Sequence, residues 1–423
     1  MLYASMNSRL FIYRCLMENF EFHVPTKYIF GQGVSTQTGK IVSDFGFKKV
    51  LLVFGGGSVE RSGLLSSIKE QLSTHRVSYV QIGGVKPNPR ADLVYEGIKL
   101  GKEQNIDFVL AVGGGSVIDT AKAIALGMKD DGDDFFDFFT KKRKPKDALK
   151  VGCVLTIPAA GSESSLSCVI EKEVDGKIIK NGCGTPLNRP LFAVLDPELT
   201  FTVNKYQTAC GITDMMAHIM ERYFTNSKAV CVTDNLCEGL LKAIIENAPV
   251  VLKDPHNYDA RANIMWAGSL AHNNLCGVDR VQDWASHHIE HQLSALYDIA
   301  HGAGLAVIFP AWMEYVYKHN VMRFAQFAVR VFGLDMDFDD PQTTARAGIL
   351  ALRKFFDSIG MPLSFDDIGA KPKDIPMLLN MLGVNDVDKT EGKFVVLYRK
   401  DCEEVLYNAA KFDHKTFTKR DKL

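Results

Sequence analysis

Residues 107–126 read DFVLAVGGGSVIDTAKAIAL. The first part is an apolar run of the kind that makes a buried strand, and the last part is a row of helix formers. Three glycines at 113–115 separate them, so the stretch reads as a strand that turns directly into a helix. That unit belongs to mainly parallel sheets with helices on both faces. Glycines let the backbone approach a diphosphate closely, and the N–H groups at a helix start favour an anion. Gly113, Gly114, Gly115 and Ser116 are therefore candidates for a phosphate cradle. The spacing is neither GxGxxG nor the GK[ST] of an NTPase loop. Ordinary tight-turn chemistry explains such glycines equally well.

The pentapeptide GGGSV occurs a second time at 55–59, after the apolar run KKVLLVFG. A dinucleotide has two phosphates and two riboses, so two Gly-rich turns at neighbouring strand ends can serve different parts of it. Here the turn offers Gly56, Gly57 and Ser58, followed by Glu60 and Arg61. An acidic side chain suits the ribose 2′-hydroxyl of NAD, whereas hydroxyl and basic groups suit the 2′-phosphate of NADP. Glu60 points to NAD; Ser58 and Arg61 point to NADP, which is the expected cofactor, with NAD as the alternative.

Outward from these turns the same alternation continues. VSYVQIGG (77–84) and KVGCVLTIP (150–158) read as further strands, and SGLLSSIKEQL and DLVYEGIKLGKEQ as amphipathic helices. After LFAVLDPEL (191–199) the strand pattern fades into long helical patterns such as YQTACGITDMMAHIMERYF. The expected architecture is an N-terminal extension over 1–16, an α/β dinucleotide-binding domain with a Rossmann-like parallel sheet over 17–198, and an all-α domain over 199–423. The extension MLYASMNSRLFIYRCL carries an arginine within its apolar part and no small-residue cleavage site, unlike a signal peptide. An ordinary start could lie at Met17.

Composition excludes several classes. The chain has 423 residues, 46% apolar and 23% charged, which suits two globular domains rather than a disordered chain. A formal net charge of −1 gives no reason to expect nucleic acid as a partner. KKRKPK at 141–146 lies beside the acidic DDGDD at 130–134, as in a solvated surface loop. Nine Cys without a CxxC pair read as free thiols in a reducing compartment, and no apolar run approaches a membrane span. A cytoplasmic protein with no membrane partner is expected.

The helical part carries the sharper chemistry. In GITDMMAHIMERYF, Asp214 and His218 are one helical turn apart and share a face. In DWASHHIEHQLSALYDIAHGAG, His287 and His291 repeat that spacing, and His301 follows. One such pair is commonly a surface or capping pair; two in facing helices build a divalent metal site. His23, His75, His256, His272, His319 and His414 sit in no such arrangement and read as structural.

GGGSVIDTAK, PAAGSESS, ITDMMAH and HHIEHQLSALYDIAHG, in this order, resemble the iron-containing (group III) alcohol dehydrogenases, in particular their butanol dehydrogenase-like members. The resemblance covers nearly everything from Met17 onward. It implies that Asp214, His218, His287 and His301 are metal ligands and that His291 is a proton relay near the nicotinamide. Gly113 to Ser116, with Asp119, match the pyrophosphate turn. Asn88 matches a residue on the adenosine side, Ser58 the position beside the adenine ribose, and Lys180 a lysine near the nicotinamide ribose. Thr156 and Ser162 belong to the segment around that same end. Ala160 departs from the family, which often has threonine there.

The activity so implied is hydride transfer between nicotinamide C4 and a metal-bound short- or medium-chain alcohol or aldehyde, in a homodimer. Fe²⁺ is the expected ion, and Zn²⁺ also suits the ligand set. Met265, Trp266, Trp284, Phe309 and Trp312 suit either an apolar substrate pocket or helix-packing core. Two other readings differ in class: a lyase like the dehydroquinate synthases on the same scaffold, and a non-enzymatic nucleotide sensor with a structural metal.

Overall fold

The computed structural model describes residues 17–420, apart from 133 and 175, so the extension at 1–16 lies outside the described residues. The described residues form eight strands: β1 Lys27–Phe30, β2 Lys49–Gly55, β3 Ser78–Val85, β4 Phe108–Gly113, β5 Lys150–Leu155, β6 Ser167–Val174, β7 Lys177–Gly184 and β8 Phe192–Leu195. Six form one sheet in the order β1-β8-β5-β4-β2-β3, parallel at every pairing.

The apolar runs explain why this sheet is buried on both sides. In β2, Leu51 and Val53 face one core while Val50, Leu52 and Phe54 face the other. In β4, Val109 and Ala111 part from Phe108, Leu110 and Val112 in the same way. Alternation thus serves two apolar faces, which is why the strands read as continuous hydrophobic runs.

The strand order carries a functional consequence. From β2 the chain goes outward to β3, then returns to form β4 on the other side of β2. The sheet therefore reverses direction between β2 and β4, and ligands of open α/β sheets bind beyond the carboxyl ends of strands at such a switch. Both GGGSV turns leave the ends of these two neighbouring strands.

Two elements escaped the reading of the apolar runs. β1 has four residues and pairs only with β8, at the sheet edge. β6 and β7 form a separate antiparallel hairpin, with Glu171 opposite Lys180 and Cys168 opposite Cys183. Its strands are rich in charge, which masks the alternation. The oppositely charged clusters at 130–134 and 141–146 pair with each other: Arg143 forms two hydrogen bonds to Asp130, both 2.8 Å.

From Lys205 onward the chain is helical, built on one continuous apolar cluster. Its central helix, Lys205–Tyr223, is buried at every position from Thr208 to Tyr223. Among the described residues no helix is long and apolar enough to cross a membrane. The aromatic-rich stretch divides unevenly. Phe309 and Trp312 are core of the helical part, Met265 packs against the sheet core, and Trp266 stacks edge-on against Tyr28 and Phe30. Of the five, Trp284 alone lines the cavity described next.

Candidate active site

A cavity of about 1310 Å³ lies between the carboxyl ends of the strands and the helical part. Gly55, Gly56 and Ser58 line it from the first GGGSV turn, and Gly113 to Ser116 from the second. The two turns differ in backbone. In the first, Gly57 has φ +102° and precedes a helix of only four residues, Ser58–Arg61. In the second, Gly114 is extended and precedes the long helix Gly115–Met128, with no side chain capping it. Only the second presents a full helix N-terminus to the cavity, as a diphosphate requires.

Opposite these turns, three helices converge. Asp214 and His218 come from Lys205–Tyr223, His287 and His291 from Ala285–Tyr297, and His301 opens His301–Val316. The ligand atoms of Asp214, His218 and His287 lie within 4.8 Å of one another. His301 Nε2 is 3.8 Å from Asp214 Oδ1. Close backbone approach makes this possible: a Cβ on Gly302 would stand 2.0 Å from the Cys210 carbonyl oxygen. A residue with any side chain there would push His301 away from Asp214. His291 lines the same cavity, with its ring 5.2 Å from that of His301.

Whether this cluster suits a cation follows from its polar atoms. Asp214 Oδ1 and His287 Nε2 are buried with no hydrogen-bond partner, a costly arrangement unless an ion satisfies them. Burial pushes His218 well below the usual imidazole range, so it is a neutral donor. Two fully buried carboxylates stand behind the imidazoles. Glu221 accepts from His287 Nδ1 at 2.9 Å, and from the backbone N–H groups of Trp284 and His287 at 2.9 and 3.1 Å. Glu290 is bonded to His301 Nδ1, and Gly304 leaves the space its carboxylate fills. Each carboxylate leaves Nε2 of its histidine turned inward, the arrangement that orients imidazole ligands in metal sites. Among the described residues neither pairs with Lys or Arg. Asp214, Glu221 and Glu290 thus bring three carboxyl groups into a buried region, and a divalent cation is a partner that fits them.

The remaining sequence-predicted residues fall into two groups. Thr156 lines the cavity and donates its N–H to the Gly113 carbonyl at 3.1 Å, fastening that segment beside the cradle. Ala160 faces Gly115, their Cβ positions 3.9 Å apart. Asp119 and Ser162 are engaged with each other at 2.5 Å, and the buried Lys122 donates to Ser162 at 2.8 Å. Asp119 also accepts from the Val169 N–H at 2.9 Å, so it braces the 162–169 segment from behind the 113–116 turn. Asn88 and Lys180 touch each other. The resemblance divides them between adenosine and nicotinamide ends, yet Lys180 Nζ donates to Asn88 Oδ1 at 2.9 Å and to Ser294 Oγ at 2.8 Å. Both line the cavity, beside Ser294 of helix Ala285–Tyr297.

Sequence reasoning missed Glu221 and Glu290 behind the ligand candidates, and it did not place His272 on the cavity wall. The two glutamates carried a signal: each lies three residues after a candidate ligand, in an otherwise apolar helical face. His272 carried none. It ends helix Tyr258–His272, and its ring lies 3.9 Å from that of His218.

Comparison with known proteins gives the family. Residues 25–197 match iron-containing alcohol dehydrogenase, and residues 208–410 match the C-terminal part of the Fe-containing alcohol dehydrogenase family. The probable NADH-dependent butanol dehydrogenase 1 of Bacillus subtilis is 42% identical, over 92% of this chain and 99% of its own length. The NADPH-dependent aldehyde reductase YqhD of Escherichia coli is 38% identical, over 86% of this chain and 93% of its own. The crystal structure of NADH-dependent butanol dehydrogenase A from Thermotoga maritima superimposes with a TM-score of 0.89 at 38% identity, covering 93% of this chain and 99% of that one. The chain belongs to the iron-containing alcohol dehydrogenase family.

Proposed function

We propose that this protein is an NAD(P)-dependent alcohol dehydrogenase or aldehyde reductase, with a divalent metal held by Asp214, His218, His287 and His301. The observation that carries the reading is the single cavity joining the two Gly-rich turns to the buried carboxylate–imidazole cluster. When bound, the metal polarises the alcohol or aldehyde oxygen as a Lewis acid, and the nicotinamide exchanges hydride with the adjacent carbon.

The chain's own residues do the rest. The N-terminus of helix Gly115–Met128 holds the pyrophosphate through backbone N–H groups. Lys180, fixed by Asn88 and Ser294, orients the nicotinamide ribose. His291 faces the cavity beside His301 and carries the proton between the substrate oxygen and solvent. Glu221 and Glu290 keep Nε2 of His287 and His301 turned toward the metal.

Iron is the resident metal in this reading, as the family indicates. NADPH is the preferred cofactor, because Arg61 folds back over Gly57 beside Ser58; a Cβ on Gly57 would lie 3.1 Å from its Nη1. Glu60 approaches the same point, and the Bacillus subtilis and Thermotoga maritima relatives are named NADH-dependent. Short- and medium-chain aldehydes are the substrates, in a cytoplasmic homodimer, which sedimentation tests directly. No observation favours the lyase reading. The deciding experiment is oxidation of NADPH and NADH by anaerobically iron-loaded protein across a series of aldehydes, repeated with zinc. Metal binding without turnover on any aldehyde sinks the dehydrogenase reading in favour of a sensor.

A further inference from the structure

Residues 78–90 read SYVQIGGVKPNPR, and strand β3 within them ends at Val85. Two glycines precede that end, and Gly84 has φ +89°, in the left-handed region. The register of β2 against β3 shifts at this point, so that Gly55 stands opposite Val85. The approach is close: a Cβ on Gly55 would lie 3.6 Å from the Val85 carbonyl oxygen. Lys86 is the next residue on β3's side, as Gly56 of the first GGGSV turn is on that of β2. The proline at 87 keeps Lys86 extended, clear of a helical turn.

Charge around that turn is otherwise balanced. A Cβ on Gly57 would meet Arg61 Nη1 at 3.1 Å and Glu60 Oε2 at 3.6 Å, so one cation and one carboxylate crowd the same point. A 2′-phosphate placed there is attracted by one and repelled by the other, whereas Glu60 serves a 2′-hydroxyl. Lys86 is exposed, lines the cavity, and among the described residues makes no hydrogen bond or ion pair. Two residues on, Asn88 is already engaged by Lys180. The loop is thus fastened while its lysine stays free for a ligand, and that lysine carries the charge that breaks the tie. The basic run at 141–146 differs. Arg143 is bound to Asp130, and Lys142 Nζ lies 3.7 Å from Asp137. Lys141 lines the cavity unpaired, from a loop that has no register with β2.

We propose that Lys86 is a specificity-determining residue that reads the 2′-phosphate of NADP. Its ammonium forms a charge-assisted hydrogen bond to that phosphate, together with Ser58 and Arg61 of the first turn. A lysine suits this task because its three donors rotate on a flexible stem and need no fixed approach. Cofactor choice is then set in part by a loop outside the Gly-rich turn, and Glu60 is outweighed. The inference rests on the NAD(P)-dependent reading above, and binding tests it without turnover.

The test is calorimetric binding of NADP⁺ and NAD⁺, which differ only in the 2′-phosphate, to the iron-loaded protein with no substrate present. The wild type should bind NADP⁺ more tightly. Lys86→Ala should lower the NADP⁺-to-NAD⁺ affinity ratio about tenfold, the worth of one exposed charge-assisted hydrogen bond, and leave the Kd for NAD⁺ within about twofold. Lys86→Arg keeps the charge and should keep most of the ratio. Lys141→Ala removes an equal charge from the same cavity and should leave the ratio unchanged. The proposal is overturned if the ratio survives Lys86→Ala, if both dinucleotides weaken alike, or if Lys141→Ala lowers the ratio as much. A wild type that prefers NADP⁺ with a ratio indifferent to Lys86 leaves the cofactor reading to Ser58 and Arg61; one that prefers NAD⁺ overturns both. Binding of neither dinucleotide overturns the dehydrogenase reading itself.

Discussion

The two halves of the cavity are made from different parts of the polypeptide. On the sheet side the site is backbone: glycine turns at the ends of β2 and β4 and the N–H groups of one helix start. On the helical side it is side chain: one carboxylate, three imidazoles, and two further carboxylates behind them, nearly all buried. Backbone sites share the work among several equivalent N–H groups, so single substitutions weaken them by degrees. A buried cluster of charge has no such tolerance, because removing one member leaves the others unpaired. Substitutions of equal size should therefore have unequal effects on the two sides.

The largest effect is expected on the helical side. His287→Ala or His301→Ala should abolish metal binding and turnover together, as metal analysis and aldehyde reduction would show. A variant that keeps its full metal content removes that residue from the ligand set and breaks the contrast. One shell out, Glu290→Gln should leave the ligands in place but weaken their orientation, lowering metal affinity about 10- to 100-fold. Competition with a chelator measures this directly, without reference to activity. Unchanged affinity would mean that Glu290 fills the space opposite Gly304 and nothing more.

How far the sequence revealed this site follows from the same difference. Strands, glycines and one-turn Asp/His spacings are local patterns, so β2, β4, both GGGSV turns and the ligand candidates could be read directly. Their meeting in one cavity could not, because it depends on the close packing of Gly302 against Cys210, remote in sequence. His272 reads as structural because its place on the cavity wall comes from packing against Arg222 and His218, on another helix. The hairpin β6–β7 was hidden by its charged residues, and with it the pairing of Lys180 to Asn88. The aromatic stretch was open to either reading from composition alone, pocket or helix-packing core, and packing sent four of its five residues away from the cavity.

The smaller effects belong to the sheet side, and the first GGGSV turn supplies two of them. Gly57→Ala puts a Cβ on a residue with φ +102°, at a cost of about 1–2 kcal/mol, and against Arg61. It should lower Tm modestly and raise the KM for the cofactor, with metal content unchanged. Arg61→Ala is milder still, because this residue is exposed and its charge is screened by solvent. An exposed ion pair contributes about 0–1 kcal/mol, so the NADPH-to-NADH ratio of kcat/KM should fall by no more than about fivefold. The direction is what matters. If the ratio rises on losing Arg61, or if the wild type prefers NADH, then Glu60 governs the turn and binds the ribose 2′-hydroxyl. The two identical pentapeptides would then differ as before in the part of the dinucleotide they serve, with the first one selecting NAD.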